Sequence, residues 1–218
     1  MKAALGLIAV AAFTATATAD VLWDQSNVNT GINAFVDQEF DDFASFSSYM
    51  VMDVVSTGWT VQSVSVYFTN NMGNWAGVTQ ARLNLFAKTG TLPVAGDDPT
   101  AGATVGVSLT NLGSSWEITA SGLNVNVPIG DYWIGLTPLT NFGAQGQEFH
   151  QAAPIIGVDT AWRNPGGGFG LGTQWQTTAP LGTDWIGVYD AAFKVEGIPA
   201  PGALALLGLA GLIGRRRR

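Results

Sequence analysis

Cysteine is absent from the 218 residues and histidine occurs once. The first absence excludes thiol catalysis and disulfide stapling, and the second excludes any multi-histidine metal centre. Basic residues are nearly as scarce. Between Asp20 and Ile198 only Arg82, Lys88, Arg163 and Lys194 stand against all sixteen carboxylates, a net charge of −12. Such a chain has no basic stripe to neutralise phosphates, so this region is expected to be repelled by nucleic acid and anionic lipid, and its acidity also serves to keep a secreted protein soluble. The signatures H-E-x-x-H, G-x-S-x-G and G-x-x-x-x-G-K-[ST] are all missing. Gly166 to Gly168 follow Asn164-Pro165 without the lysine a phosphate cradle needs, and read as a loop. Sustained helical periodicity is also lacking, apart from one short turn expected around Asp41 to Ser47.

What is present begins with the two ends. Lys2 supplies a positive n-region, Ala3 to Phe13 an apolar run of eleven residues, and Ala17-Thr18-Ala19 a small-x-small cleavage site. Residues 1–19 therefore read as a secretory signal peptide, with Asp20 beginning the mature chain and signal peptidase as a partner. At the other end, Pro199-Ala200-Pro201 interrupts the preceding structure and is expected to be extended and accessible. Gly202 to Gly214 carry no charge, and Arg215, Arg216, Arg217 and Arg218 close the chain. As a short apolar helix those thirteen positions reach only about 20 Å against a hydrocarbon core of roughly 30 Å. The arginine cluster would stay on the cytoplasmic side and hold residues before Pro199 outside. The expectation is a transient stop in the inner membrane.

The order of proline-bracketed motif, short apolar helix and terminal arginine cluster closely resembles the PEP-CTERM sorting signal of Gram-negative bacteria. Ala200 stands where the usual motif has glutamate. The resemblance implies processing by an exosortase-type, transpeptidase-like membrane enzyme and delivery to the cell surface or extracellular matrix. Residues 198–218 would be that sorting tail and residues 20–197 its cargo.

Along the cargo the pattern has period two. Tyr49 to Val55 alternates, as do Val64, Val66 and Phe68, then Leu83 and Leu85, Val105 to Leu109, Trp116 and Ile118, Leu123 to Val127, Tyr132 to Leu136, and Phe193 with Val195. Gly, Asn, Asp and Pro break it every ten residues or so. Many short strands with turn residues between them predict an all-β domain, an antiparallel β-sandwich of jelly-roll type. Four segments, Trp59 to Phe68, Asp131 to Leu136, Trp162 to Phe169 with Gly172 to Trp175, and Asp190 to Gly197, resemble extracellular sandwich domains of planctomycete and proteobacterial surface proteins. That resemblance implies fold and location and carries no activity.

Two leads bear on chemistry. Asp37, Glu39, Asp41 and Asp42 form an acidic run whose alternating members would share a strand face, and Asp97-Asp98 lie in a Gly/Pro loop. Hard oxygen ligands of this kind suit a structural Ca²⁺ or simply a solvated face. Aromatics give the other lead, with eight tryptophans in the chain. Trp59, Trp116, Trp133 and Trp185 fall in strand patterns and are expected in the core. Trp75, Trp162 and Trp175 sit among turn residues, where exposed indoles beside Asn74, Asn164 and Gln174 would stack on sugars and bond their hydroxyls. His150 reads as a strand-end residue bonded to backbone rather than a general base.

The sequence thus points to a non-catalytic, secreted, surface-sorted matrix protein that binds polysaccharide. A glycan hydrolase or lyase is the alternative, since it needs only two carboxylates at the right separation. A purely structural surface protein, whose specific partner is the sorting machinery, is the third.

Overall fold

The computed structural model describes residues 19–28, 35–69, 74–157, 160–177 and 189–200. The expected signal peptide up to Thr18, the tail from Pro201 with Arg215 to Arg218, and Trp185 lie outside the described residues.

The described chain is mostly β. In order the strands are β1 (Asp20–Gln25), β2 (Phe35–Val36), β3 (Glu39–Phe40), β4 (Tyr49–Thr69), β5 (Gln80–Ala87), β6 (Ala103–Asn111), β7 (Ser115–Thr140), β8 (Phe149–His150), β9 (Ala152–Pro154), β10 (Ala161–Arg163), β11 (Gln176–Thr177), β12 (Tyr189–Ala191) and β13 (Phe193–Pro199). The helical pieces are 3-10 turns at Ala44–Phe46 and Pro99–Ala101 and a one-turn helix α1 (Phe142–Gln145). The first of these turns falls inside the segment expected to turn, Asp41 to Ser47. Eleven strands form one sheet, six along the path β1-β13-β4-β7-β5-β6 and five, β2, β3, β8, β10 and β11, off it, and β9 and β12 pair separately. Every described pairing is antiparallel except β3 with β7, where Glu39 and Phe40 run parallel to Leu139 and Thr140.

The alternating segments all fall in strands, but several fuse. Turn residues were expected to break the pattern every ten residues or so, but Gly58, Gly122 and Gly130 lie inside strands, each with positive φ. β4 runs 21 residues and β7 runs 26, paired from Met52↔Ile134 to Thr69↔Ser115. Gly58 and Gly130 take φ of +91° and +149°, which glycine adopts without a Cβ clash. At this corner the inward parity of β4 switches. Met50, Met52 and Val54 face the core before it, Trp59 and Val61 after it, and the irregularity between Val61 and Ser63 switches parity again to Val64, Val66 and Phe68. Both halves of the β4–β7 ribbon therefore feed one core, joined by Ile118, Ala120, Val127, Ile134, Leu136, Phe193 and Val195.

The outer face of the ribbon's first half carries a second, smaller core of Tyr49, Val51, Trp133, Ala161 and Trp175. Two loops cover it. They are pinned to each other because Asp97 O accepts from both Trp175 Nε1 at 2.7 Å and Arg163 Nη1 at 2.9 Å. Lys88 adds an ion pair with Asp53 at 2.6 Å and lies 5.0 Å from the Trp133 ring centroid.

Candidate functional site

Two concavities lie at the end of the sheet where β3, the Ala44–Phe46 turn and α1 meet, on either side of β3. One is a polar groove of about 380 Å³, lined by Glu39, Asp41, Thr79, Gln80, Asn141 and Gln145 among others. The other is an apolar hollow of about 220 Å³ between Phe40, Phe43, Phe46, Phe142 and Phe169. Phe43, Phe46 and Phe142 are 47%, 38% and 41% exposed, whereas Phe40 beneath them is buried. Their rings meet edge to face or tilted: Phe40–Phe142 at 5.7 Å, Phe43–Phe142 at 5.2 Å and Phe46–Phe169 at 5.3 Å between centroids. Such contacts fix the rings relative to one another. Successive residues of β3 separate the two concavities, since Glu39 turns to the groove and Phe40 to the hollow.

Each carboxylate of the acidic run is held by a different partner. Asp37 is buried, and its Oδ1 accepts from the Met50 N–H at 3.0 Å and Thr137 Oγ1 at 2.6 Å. Its Oδ2 lies 2.9 Å from His150 Nδ1. His150 Nε2 sits 2.9 Å from Ala192 O; because a carbonyl only accepts, that nitrogen carries a proton. Glu39 makes a two-point pair with Arg82, at 2.5 Å to Nη2 and 2.9 Å to Nε. Hydrogen bonding to Glu39 raises the Arg82 pKa further above its ordinary value. Tyr49, packed beside the pair, has its phenol pushed well up, first by burial and then by the Glu39 charge. Asp41 accepts from Asn141 Nδ2 at 2.8 Å. Asp42 accepts from the N–H groups of Phe142 at 2.7 Å and Gly143 at 2.9 Å, the start of α1. Desolvation works against ionisation of Asp42, but these backbone bonds outweigh it and hold its carboxyl below the usual range.

The four acidic residues thus diverge, each toward its own partner. Among the described residues no group of three or more His, Cys, Asp or Glu is placed to hold a metal. The alternation that suggested one strand face is interrupted, because Asp37 and Gln38 lie between β2 and β3 and turn inward.

The three tryptophans also differ from expectation, since none presents an exposed indole. Trp75 is buried against Phe68, with ring centroids 4.9 Å apart. Trp162 is buried with its Nε1 donating to Val36 O at 3.0 Å, and Trp175 is buried with its Nε1 on Asp97 O. Apolar area drives these rings inward even from turn-rich segments, and two of the three find a carbonyl for the indole N–H. Of their polar neighbours, Asn74 and Gln174 are exposed and Asn164 is buried. Asn164 Nδ2 donates to Ser45 O at 2.8 Å and Ser47 O at 2.7 Å, and its Oδ1 accepts from the Phe169 N–H at 3.2 Å. Trp162 touches Phe169 at 5.9 Å between centroids. Two of the six expected contact residues, Trp162 and Asn164, therefore support the phenylalanine hollow from behind; the others do not converge on it.

No family model matches this chain, nor does any curated protein or any solved structure. What the site can do rests on its own geometry. Phe43, Phe46 and Phe142 are the residues that sequence reasoning passed over. A signal was there, because Phe40, Phe43 and Phe46 recur at every third position in a segment too short to bury them on one helix face.

Proposed function

We propose that this is a secreted, surface-sorted, non-catalytic domain that binds polysaccharide at the groove and phenylalanine hollow, with the sheet folded on itself as an antiparallel sandwich of jelly-roll type. The observation that carries the reading is the hollow with three exposed phenylalanine rings, together with a groove of carboxylates, amides and hydroxyls built on the neighbouring residues of β3 and α1. Aromatic faces stack on the C–H face of a sugar ring, while exposed Gln80 and Thr79, and the valences that Asp41, Asn141 and Gln145 keep beyond their internal hydrogen bonds, face its hydroxyls. A neutral glycan suits the acidity of the domain. The groove's two carboxylates, Glu39 and Asp41, are already engaged by Arg82 and Asn141. That engagement favours binding over the acid–base work of a hydrolase or lyase. Export with cleavage of the leader by signal peptidase, transient membrane insertion and exosortase-type sorting remain part of the reading, on the strength of the two terminal segments.

The test is affinity electrophoresis of Asp20–Ala200 against neutral matrix glycans, with each glycan sized afterwards. Retardation is expected without shortening of the glycan. Phe43→Ala and Phe142→Ala should each weaken it by roughly 5–30-fold, the scale of losing one stacked ring. Shortened glycan would establish the enzyme instead. Absence of retardation on every glycan would leave the structural surface protein as the reading.

A further inference from the structure

β13 does not stop where the cargo was expected to end. Gly197 pairs with Val61, Ile198 with Thr60 and Pro199 with Trp59 on β4, and the Ala200 N–H donates to Gly58 O at 2.6 Å. Pro199 and Ala200, expected to be accessible, are thus docked on the sheet at its bent corner. A Cβ at Gly58 would lie 3.0 Å from the Ala200 Cβ and 3.5 Å from Ile129 Cγ1, so Ala200 packs into this corner beside Ile129. The chain enters at the same end, because Asp20, the first residue of β1, pairs with Gly197. Both terminal apolar segments, Ala3 to Phe13 and Gly202 to Gly214, therefore leave the domain near one spot.

That spot exposes two large apolar side chains. Ile129 is 80% exposed and Val55 53%, and both lie on the corner, in the pairs Thr57↔Ile129 and Val55↔Asp131. Ile129 is the most exposed of the large hydrophobic residues among those described. Exposed apolar side chains at a chain exit are placed to meet whatever the exiting segment enters. Only Pro201 separates docked Ala200 from the uncharged stretch, a Cα-to-Cα span of at most about 7 Å. A tail seated in a bilayer then leaves the corner no room to stand off from it.

We propose that the corner formed by Val55–Gly58 and Ile129–Gly130 is a lipid-contact surface, resting on the bilayer interface while the tail is inserted, with Ile129 and Val55 in the headgroup region. The inference rests on the membrane-stop reading of Gly202 to Arg218. It adds an orientation, because β4 runs from Gly58 to Tyr49 over up to about 30 Å of strand. The groove and phenylalanine hollow lie beyond Tyr49 and so face away from the lipid. Asp131, exposed and directly across from Val55 on the same face, limits the contact to zwitterionic or neutral lipid.

Because the chain has no cysteine, single-cysteine variants report one position each. The full chain carrying Ile129→Cys, Leu112→Cys or Leu207→Cys is labelled with an environment-sensitive fluorophore and reconstituted in phosphatidylcholine vesicles containing a nitroxide lipid labelled near the headgroup. Leu112 is a control, exposed at the β6–β7 turn at the far end of the ribbon. The Ile129→Cys probe should lose about half its emission, since an interfacial apolar group sits about 5–10 Å into the headgroup boundary. The Leu112→Cys probe should lose none and the Leu207→Cys probe should be quenched. Quenching at position 207 without quenching at 129 overturns the corner contact and leaves the membrane-stop reading standing. Equal quenching at 129 and 112 also overturns it, as general adsorption. An unquenched probe at 207 removes the membrane-stop reading and the corner contact with it.

Discussion

Asp42 shows how little of this site is held by side chain packing alone. It is fully exposed, yet its carboxylate takes the free N–H groups of Phe142 and Gly143 and so fixes where the Phe142 ring stands. The Asn141 side chain caps the same turn through the Ala144 N–H at 2.9 Å. Asp42 is held below the usual carboxylate range because the ionised form accepts these bonds. A group depressed in the folded state contributes stability above its unfolded value and loses it as pH falls through the folded value. The amide proton resonances of Phe142 and Gly143 should therefore titrate together, with a midpoint below 3.8, the ordinary value for aspartate. Asp42→Asn should remove the titration. A midpoint at or above 3.8, or titration of one amide without the other, would mean the carboxylate does not hold α1. Asp37 is the buried counterpart. Asp37 is buried, so removing its carboxylate would leave the groups it accepts from on Met50 and Thr137, and its contact with His150, without a partner together.

The 3-10 turn Ala44–Phe46 and the glycine-rich loop after β10 are one unit. Gly166 and Gly168 lie against the backbone of Ser45. A Cβ would come 2.5 Å from Ser45 Cα at the first and 2.6 Å from Ser45 O at the second, and the Gly168 N–H donates to Ser45 O at 2.8 Å. Gly166→Ala must push the turn outward, since backbone cannot yield as a flexible side chain would. A cost of about 1–3 kcal/mol is expected, as for overpacking elsewhere, measured by urea unfolding. Glycan retardation should weaken with it, because Phe43 and Phe46 move with the turn. Gly96→Ala, with nothing within 4 Å of its Cβ, is the control and should change neither. A silent Gly166→Ala would show that the turn is not positioned by this loop. The glycine run was legible in the sequence as a loop, but its reason was not, because close approach to Ser45 is a tertiary fact. The same limit explains the fold as a whole. Period-two alternation placed β4, β5, β6, β7 and β13 correctly in the chain, since it reports only which face is buried. It could not tell a glycine that ends a strand from one that bends it, as Gly58 and Gly130 do. Nor could it find the parallel β3–β7 pair, only two residues long. The tryptophans failed for a related reason, because turn residues around an indole say where the backbone turns and not where the ring points.

At the scale of the molecule the first and last residues described leave the domain at the bent corner, and the candidate site lies beyond the Tyr49 end of β4. This arrangement bears on processing. Ile198, Pro199 and Ala200 contribute the last β13 pairs and the bond to Gly58 O, so an enzyme that cut before Ile198 would first have to peel the strand from β4. Proline at position 199 lacks an N–H, which suits the end of a strand and costs the ladder nothing there. Cutting after Ala200 leaves the sheet intact and removes the apolar stretch and the arginines. The mature protein should therefore run from Asp20 to Ala200 or a residue shortly beyond it, as read by intact mass. A product ending at or before Gly197 would show that the end of β13 opens for the enzyme, and the pairing seen here would then be a state that processing must break. A mature species that keeps Arg215 to Arg218 would refute processing itself. In that case the corner would stay at the membrane for the life of the protein, with the phenylalanine hollow held outward as the permanent face of an anchored domain.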